Sequence, residues 1–337
     1  MPVSIATAIQ KSVPVTTRTV GNVEAFTTVE VRPLVSGQLM TVEFEEGQDV
    51  KEGQLLFTID PRSFDVALKQ AQATLAKDTA LVENAKVQLL RNDDLLARGL
   101  MTRADHDTFA AGVKSQQETL NADAAQVDNA KLQLQYTRIT APISGRTGVL
   151  FVHKGALVRT GDANPLVVIN QVAPVRAIFN VPARLLGDIR AGQAKAPLRV
   201  SARASGQEGP TSSGVLTFVD NTVDALSATV KLKATFSNAD RRLWPGEFVE
   251  IVVELSVDQR AIVVPASAVQ NGQNGQFAWV VKADKTVDVR PVKVARADGD
   301  ALVIGEGLAA GEDVVTDGQR YLTSGAKVSV KPAVGGR

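Results

Sequence analysis

The chain has 337 residues, 44% of them apolar but only 4% aromatic, and its 37 basic and 36 acidic side chains give a formal charge of +1. That length accommodates two to four small domains with thin cores of Val, Ala and Leu, and the balanced charge, free of long single-sign runs, excludes an electrostatic footprint for nucleic acid. Cysteine is absent, which excludes disulfides, thiolate metal sites and cysteine nucleophiles but identifies no compartment.

Met1-Pro2-Val3 opens directly into strand-like sequence. No window approaches the ~18 consecutive apolar residues of a spanning helix, so an export signal or anchor is expected upstream of Met1. Ser4 to Val13 reads as a strand of the last module, and Val15 to Phe26 as a strand of a barrel. SGQLMTVEFEEGQDVKEG, from Ser36, is then answered by SGRTGVLFVHKGALVRTG, from Ser144, at a constant offset of 108 residues. Ser36-Gly37, Gly47, Val50 and Gly53 match Ser144-Gly145, Gly155, Val158 and Gly161, while Val35, Val42 and Phe44 align with Ile143, Leu150 and Val152. The six glycines are expected to set turns and the apolar positions strands, so one small domain is written in two halves.

Between the halves lie two heptad seams. Phe64, Leu68, Ala71, Leu75, Val82, Ala85, Leu89 and Leu96 follow a 4-3 spacing interrupted by Asp78 and Asn92. Pro61 after Asp60 and Gly99 after Arg98 supply a start and a stop, predicting a helix over Arg62 to Ala97 of about 54 Å. The second seam reads Phe109, Val113, Gln116, Leu120, Asp123, Val127, Ala130 and Leu134, after a capping-box start at Thr102 and Asp105. The prediction is an antiparallel coiled-coil hairpin with its tip at Arg98 to Arg103.

Beyond Ile169 the sequence turns β-rich. Val175 to Val181, Leu198 to Ala202, Ser213 to Asp220, Thr229 to Phe236 and Phe248 to Leu255 read as strands, with a short helix near Ala183 to Arg190. Turn clusters at Gly206 to Pro210 and Trp244-Pro245-Gly246 separate them, and a small closed barrel is expected. From Ile262 a second β-module follows, with Asn271-Gly272, Asn274-Gly275, Asp298-Gly299 and Asp317-Gly318 as turns between strands such as Phe277 to Val281 and Thr286 to Val294.

Catalytic chemistry is sparse: two histidines, His106 and His153, no nucleophile motif, no phosphate loop and no dinucleotide fingerprint. His106, between Asp105 and Asp107, reads as a first-turn helix residue rather than a metal ligand. The halves look like those of a lipoyl or biotinyl carrier. A carrier needs a lysine on the turn joining its halves, and here everything from Asp60 to Tyr136 replaces that turn. Lys69, Lys77 and Lys86 fall within a helix.

A lipoyl-like domain split by a coiled-coil hairpin, followed by a barrel and a second β-module, resembles the periplasmic adaptors, or membrane fusion proteins, of resistance-nodulation-division (RND) tripartite efflux pumps, within the HlyD-like family. The likeness is carried by RPLVSGQLMTVEFEEGQDVKEGQLLFTIDP, RITAPISGRTG, LWPGEFVEI, VVPASAV and GEGLAAGEDVVTDG. It implies a mainly β, elongated, multi-domain fold with a long α-helical hairpin at 61–136. A lipoyl-like β-sandwich would occupy 27–60 and 137–171, a β-barrel 14–26 and 172–262, and a membrane-proximal β-domain 1–13 and 263–337. It further implies a non-catalytic, cofactor-free duct component, located in the periplasm at the inner membrane. An RND transporter, an outer-membrane channel and further copies of the chain, in a hexamer, would be its partners. In this family an arginine, a leucine four residues on and a serine seven beyond that dock the hairpin tip on the channel. They correspond here to Arg91, Leu95 and Thr102, with threonine replacing serine. Pro245 and Gly246 would form a barrel turn near the transporter. Other readings are an adaptor of an ABC-type or metal exporter, the latter weakened by few Met and His residues, a carrier-domain enzyme subunit, and a passive coiled-coil scaffold.

Overall fold

Ser36 and Ser144, the first letters of the repeat, tie the two halves to each other in the computed structural model, which describes residues 1–206, 209–272 and 275–330. Ser36 Oγ accepts the Thr160 N–H at 3.3 Å and Ser144 Oγ accepts the Glu52 N–H at 2.9 Å, and Thr160 is itself the repeat mate of Glu52. The backbone pairing obeys the same symmetry. Gly37 pairs with Val158 and Gln38 with Leu157, while Gly145 pairs with Val50 and Arg146 with Asp49. Two four-stranded sheets result, each drawing two strands from each half. One runs Thr28–Val31, Val167–Asn170, Gly145–Thr147, Asp49–Val50; the other runs Arg138–Thr140, Leu55–Ile59, Gly37–Val42, Leu157–Val158. Between them lies a core of Val31, Val35, Leu39, Val50, Phe57, Ile59, Ile139, Val158, Leu166 and Ile169.

The repeated glycines serve two different purposes. Gly47, Gly53 and Gly155 take positive φ, the turn role the sequence suggested. Gly37 and Gly145 instead lie in strands, where a Cβ would sit 2.5 Å from Ile59 Cγ2 and 2.7 Å from the Asn170 carbonyl oxygen, so close packing rather than a turn requires them. Gly161 is in a turn but has ordinary φ and open space around it.

The hairpin leaves this sandwich from adjacent strands of one sheet, Leu55–Ile59 and Arg138–Thr140. Helix α1 spans Arg62–Ala97 and α2 spans Arg103–Gln135. At the root, Asp60 accepts the Arg62 N–H and a two-pronged guanidinium contact from the same residue, Nη2 lying 2.6 Å from Oδ2. The Arg62 bonds hold the Asp60 carboxyl at a pKa of about 2. The α1 seam is as predicted. In α2 the predicted seam holds at Val113, Leu120, Asp123, Val127, Ala130 and Leu134, but near the tip Phe109 is 48% exposed and Gln116 is exposed, whereas His106, Ala110 and Gln117 are half-buried. The two patterns part only at 109/110 and 116/117, where spacing alone does not choose between them; the facing helix does.

This sandwich and hairpin, with Ser237–Gly246, form one compact unit, Val23–Arg176 plus that segment. The other comprises Met1–Asn22, Ala177–Phe236 and the residues from Glu247 on. In it the strands Arg199–Ala204, Ser212–Asp224, Thr229–Phe236, Val175–Pro182, Ile9–Ala25 and Phe248–Pro265 follow one another, and the last pairs back onto the first (Val200 with Val253, Ala204 with Val249), closing a six-stranded barrel. Alternate residues point inward, among them Val200, Ala202, Leu232, Ala234, Val249, Ile251 and Val253. The short helix α3, Leu186–Gln193, buries Ile189. Phe248–Pro265 runs ten residues past the predicted end at Leu255, absorbing its polar stretch with register shifts at Glu254/Ser256 and Asp258/Ala261. Its distal part pairs with Ala301–Glu306. In the last sheet Pro2–Thr7 lies antiparallel to Asp313–Asp317, so the chain begins inside the module in which its later residues fold. Gln207 and Glu208 of the predicted turn at 206–210, Asn274 of the Asn274-Gly275 turn, and residues 331–337 lie outside the described residues.

Candidate docking site

Helix α1 ends because Gly99 takes φ +73°, with Leu100 N–H donating to Leu95 O and Gly99 N–H to Leu96 O, the paired bonds of a Schellman stop. Helix α2 begins at Thr102, whose Oγ1 accepts the Asp105 N–H at 3.2 Å and donates to Asp105 Oδ2 at 2.5 Å. The linker is therefore five residues, Arg98 to Thr102, closed at each end by local hydrogen bonds.

Arg91 and Leu95 lie one turn apart on the same face of α1. Arg91 is exposed and forms no ion pair with any described residue, whereas Arg98 pairs with Asp94 at 2.8 Å. Leu95 is 38% exposed. Thr102 stands at the far end of the linker with its hydroxyl already engaged in the cap. The three residues thus share the tip: a free guanidinium, an apolar side chain half open to solvent and a helix cap.

Sequence reasoning missed one group. His106 Nε2 lies 2.6 Å from Asp93 Oδ1 across the two helices, and His106 Nδ1 lies 3.7 Å from Asp107 Oδ1. The Asp93 hydrogen bond raises the imidazole above its ordinary value against partial burial, with Asp107 adding to the effect. Folding the two seams about Gly99-Leu100 would have found it, since that places residue 93 opposite 106. The same fold brings Asp78, 15% exposed, against Asp123 in mid-hairpin. The Asp123 carboxyl is raised by its hydrogen bond to Asp78, by burial and by repulsion; Asp78 is lowered by Lys77 first and by that same shared bond.

Pro245 and Gly246 do not sit within the barrel's compact unit; their segment belongs with the sandwich. Buried Asn238 shapes it, donating to Val172 O at 2.7 Å and Leu243 O at 2.8 Å and accepting the Leu243 N–H. Gly246 N–H donates to Val23 O at 2.7 Å, Arg241 pairs with Asp49 at 2.8 Å, and the Arg146 guanidinium stacks 5.4 Å from the Trp244 ring centre. A groove of about 370 Å³ runs between Arg146, Val149, Trp244 and Pro245.

A sandwich built from two interlocked halves, a helical hairpin where a carrier would place its lysine turn, and a closed barrel sharing a strand with a further β-module define the adaptor class of exporter components. Residues 27–170 match the barrel-sandwich hybrid domain of RND membrane fusion proteins, 174–257 their β-barrel domain, and 260–321 their C-terminal permuted SH3 domain. Among relatives, multidrug resistance protein MdtA of Pantoea ananatis (strain AJ13355) is 42% identical over 98% of this chain and 81% of its own length. The MdtA protein of Escherichia coli O7:K1 is 41% identical over 98% and 80%. The crystal structure of MacA from Actinobacillus actinomycetemcomitans superposes with a TM-score of 0.62 at 21% identity, covering 93% of this chain and 99% of that one, and shares the fold. The chain belongs to the RND membrane fusion protein family, the adaptors of efflux pumps. The ABC-exporter, metal-exporter and carrier-subunit readings are not favoured.

Proposed function

We propose that this chain is the periplasmic adaptor of a tripartite multidrug pump, joining an inner-membrane RND transporter to an outer-membrane channel and breaking no bond itself. The observation that carries the reading is the split sandwich with its hairpin, in a chain 42% identical over nearly its full length to a protein named for multidrug resistance. Arg91 would hydrogen-bond carbonyls or carboxylates at the channel end, Leu95 would fill a small apolar pocket, and Thr102 would hold the tip in shape. The barrel and last module would grip the transporter, several copies would enclose the duct, and the assembly would sit at the inner membrane.

The absence of cysteine supplies the test. A single Cys at Leu95 in the exported protein is expected to crosslink to the channel in cells, while one at mid-hairpin Lys77 is not. Equal yields at both positions, or none at Leu95 with export intact, would remove Arg91, Leu95 and Thr102 from the docking site.

A further inference from the structure

The seam is thin in apolar contacts where it nears the tip. After Leu89 the half-buried positions are Asn92 and Leu96 on α1, and His106 and Ala110 on α2. Aside from the mid-hairpin aspartate pair, Asp93–His106 is the one side-chain hydrogen bond or ion pair joining α1 to α2 among the described residues. Asp93 lies between Arg91 and Leu95 in sequence, yet at 100° per residue it flanks the seam on the opposite side from both, so the pair leaves their face free. His106 is one helical turn beyond the Thr102 cap. The pair therefore sits between the levels of Arg91 and Leu95 and about a turn below the Thr102 cap, without occupying any of the three.

We propose that the Asp93–His106 pair is the positioning element of the hairpin tip, holding α1 and α2 in register at the level of Arg91 and Leu95 and below Thr102, and that it makes docking tighter at mildly acidic than at mildly alkaline pH. This rests on the docking reading given above. The charged groups acting on the ring are Asp93 from α1 and Asp107 from its own helix; the nearby Arg98 is engaged with Asp94. Both carboxylates favour the imidazolium, while burial and the N-terminal end of the α2 dipole oppose it. With the folded pKa raised, the contribution of the pair is complete below the ordinary value of about 6.5 and fades as pH rises through the higher folded value. A neutral ring can still donate Nε2–H to Asp93, so the link weakens rather than breaks.

Two measurements on the full-length protein separate the pair from the docking. With only two histidines in the chain, the His106 ring proton can be assigned in NMR spectra by its disappearance in His106→Gln. It should titrate above the free imidazole value and return toward it in Asp93→Asn; an ordinary titration unaffected by Asp93→Asn would overturn the pairing. A photo-crosslinking residue at Leu100 then reads docking on the channel. Yield should fall about two- to fivefold between about pH 5.5 and about pH 8.5, the range expected for a solvent-accessible ion pair. It should stay low and flat in His106→Gln, and regain its pH dependence in the swap Asp93→His with His106→Asp. Crosslinking that is flat in the unmodified chain, or equally pH-dependent in His106→Gln, would overturn the positioning role. No crosslink at any pH, with the NMR result intact, would remove the docking reading and this proposal with it.

Discussion

Thr102 Oγ1 caps α2, and under the proposed docking the same hydroxyl would also face the channel. Thr102→Ala should therefore cost about 1 kcal/mol of hairpin stability by thermal unfolding, and Thr102→Ser almost none. A docking defect in the alanine variant alone, matched by lowered stability, would assign the residue to the cap. In mid-hairpin the sign is different. Asp123 holds its proton more tightly in the folded state, so its contribution is complete below its unfolded value near 3.9 and is lost as pH rises through the raised folded one. Asp123→Asn should consequently raise the unfolding temperature at pH near 8 and flatten its dependence on pH; an unchanged or lowered temperature would count against the shared proton. The place of Arg91, Leu95 and Thr102 near the hairpin end was legible from spacing and family likeness. The Asp93–His106 contact was not, because its partners stand 13 residues apart and only the folded hairpin brings them near.

At the scale of elements, the 108-residue offset was the most informative pattern in the chain, and pairings such as Gly37–Val158 and Gly145–Val50 give its physical cause: two copies of one half-sandwich complete each other. Because Ser36 and Ser144 make reciprocal bonds to the other half, Ser36→Ala and Ser144→Ala should destabilise the sandwich by similar amounts, each about 0.5–1.5 kcal/mol in denaturant titrations. A loss confined to one of them would break the equivalence. Helix ends were legible because Gly99 and Thr102 are local signals. The α2 seam was legible from Leu120 to Leu134 but not at its tip-side end, where the outward Phe109 imitates a seam residue. The long strand Phe248–Pro265 was cut short because Ser256, Asp258, Gln259 and Arg260 look like a loop, but pairing with Ile9–Ala25 on one side carries the strand through them with bulges.

Across the whole molecule the chain makes one excursion. It starts in the last β-module, passes through a barrel strand and half of the sandwich, runs out and back along the hairpin, and returns through the same layers in reverse. That path places the hairpin tip at the turning point of the sequence, where the proposed channel docking falls, while the proposed transporter binding falls to the modules near the termini. The most direct test is affinity purification of the full-length adaptor from cells that carry the transporter and the channel, read together with dye accumulation in the same cells. For Arg91→Asp combined with Leu95→Asp, the transporter should still co-purify, the channel should be lost, and dye should accumulate as it does without the adaptor. Retention of the channel with normal efflux would contradict the proposed docking.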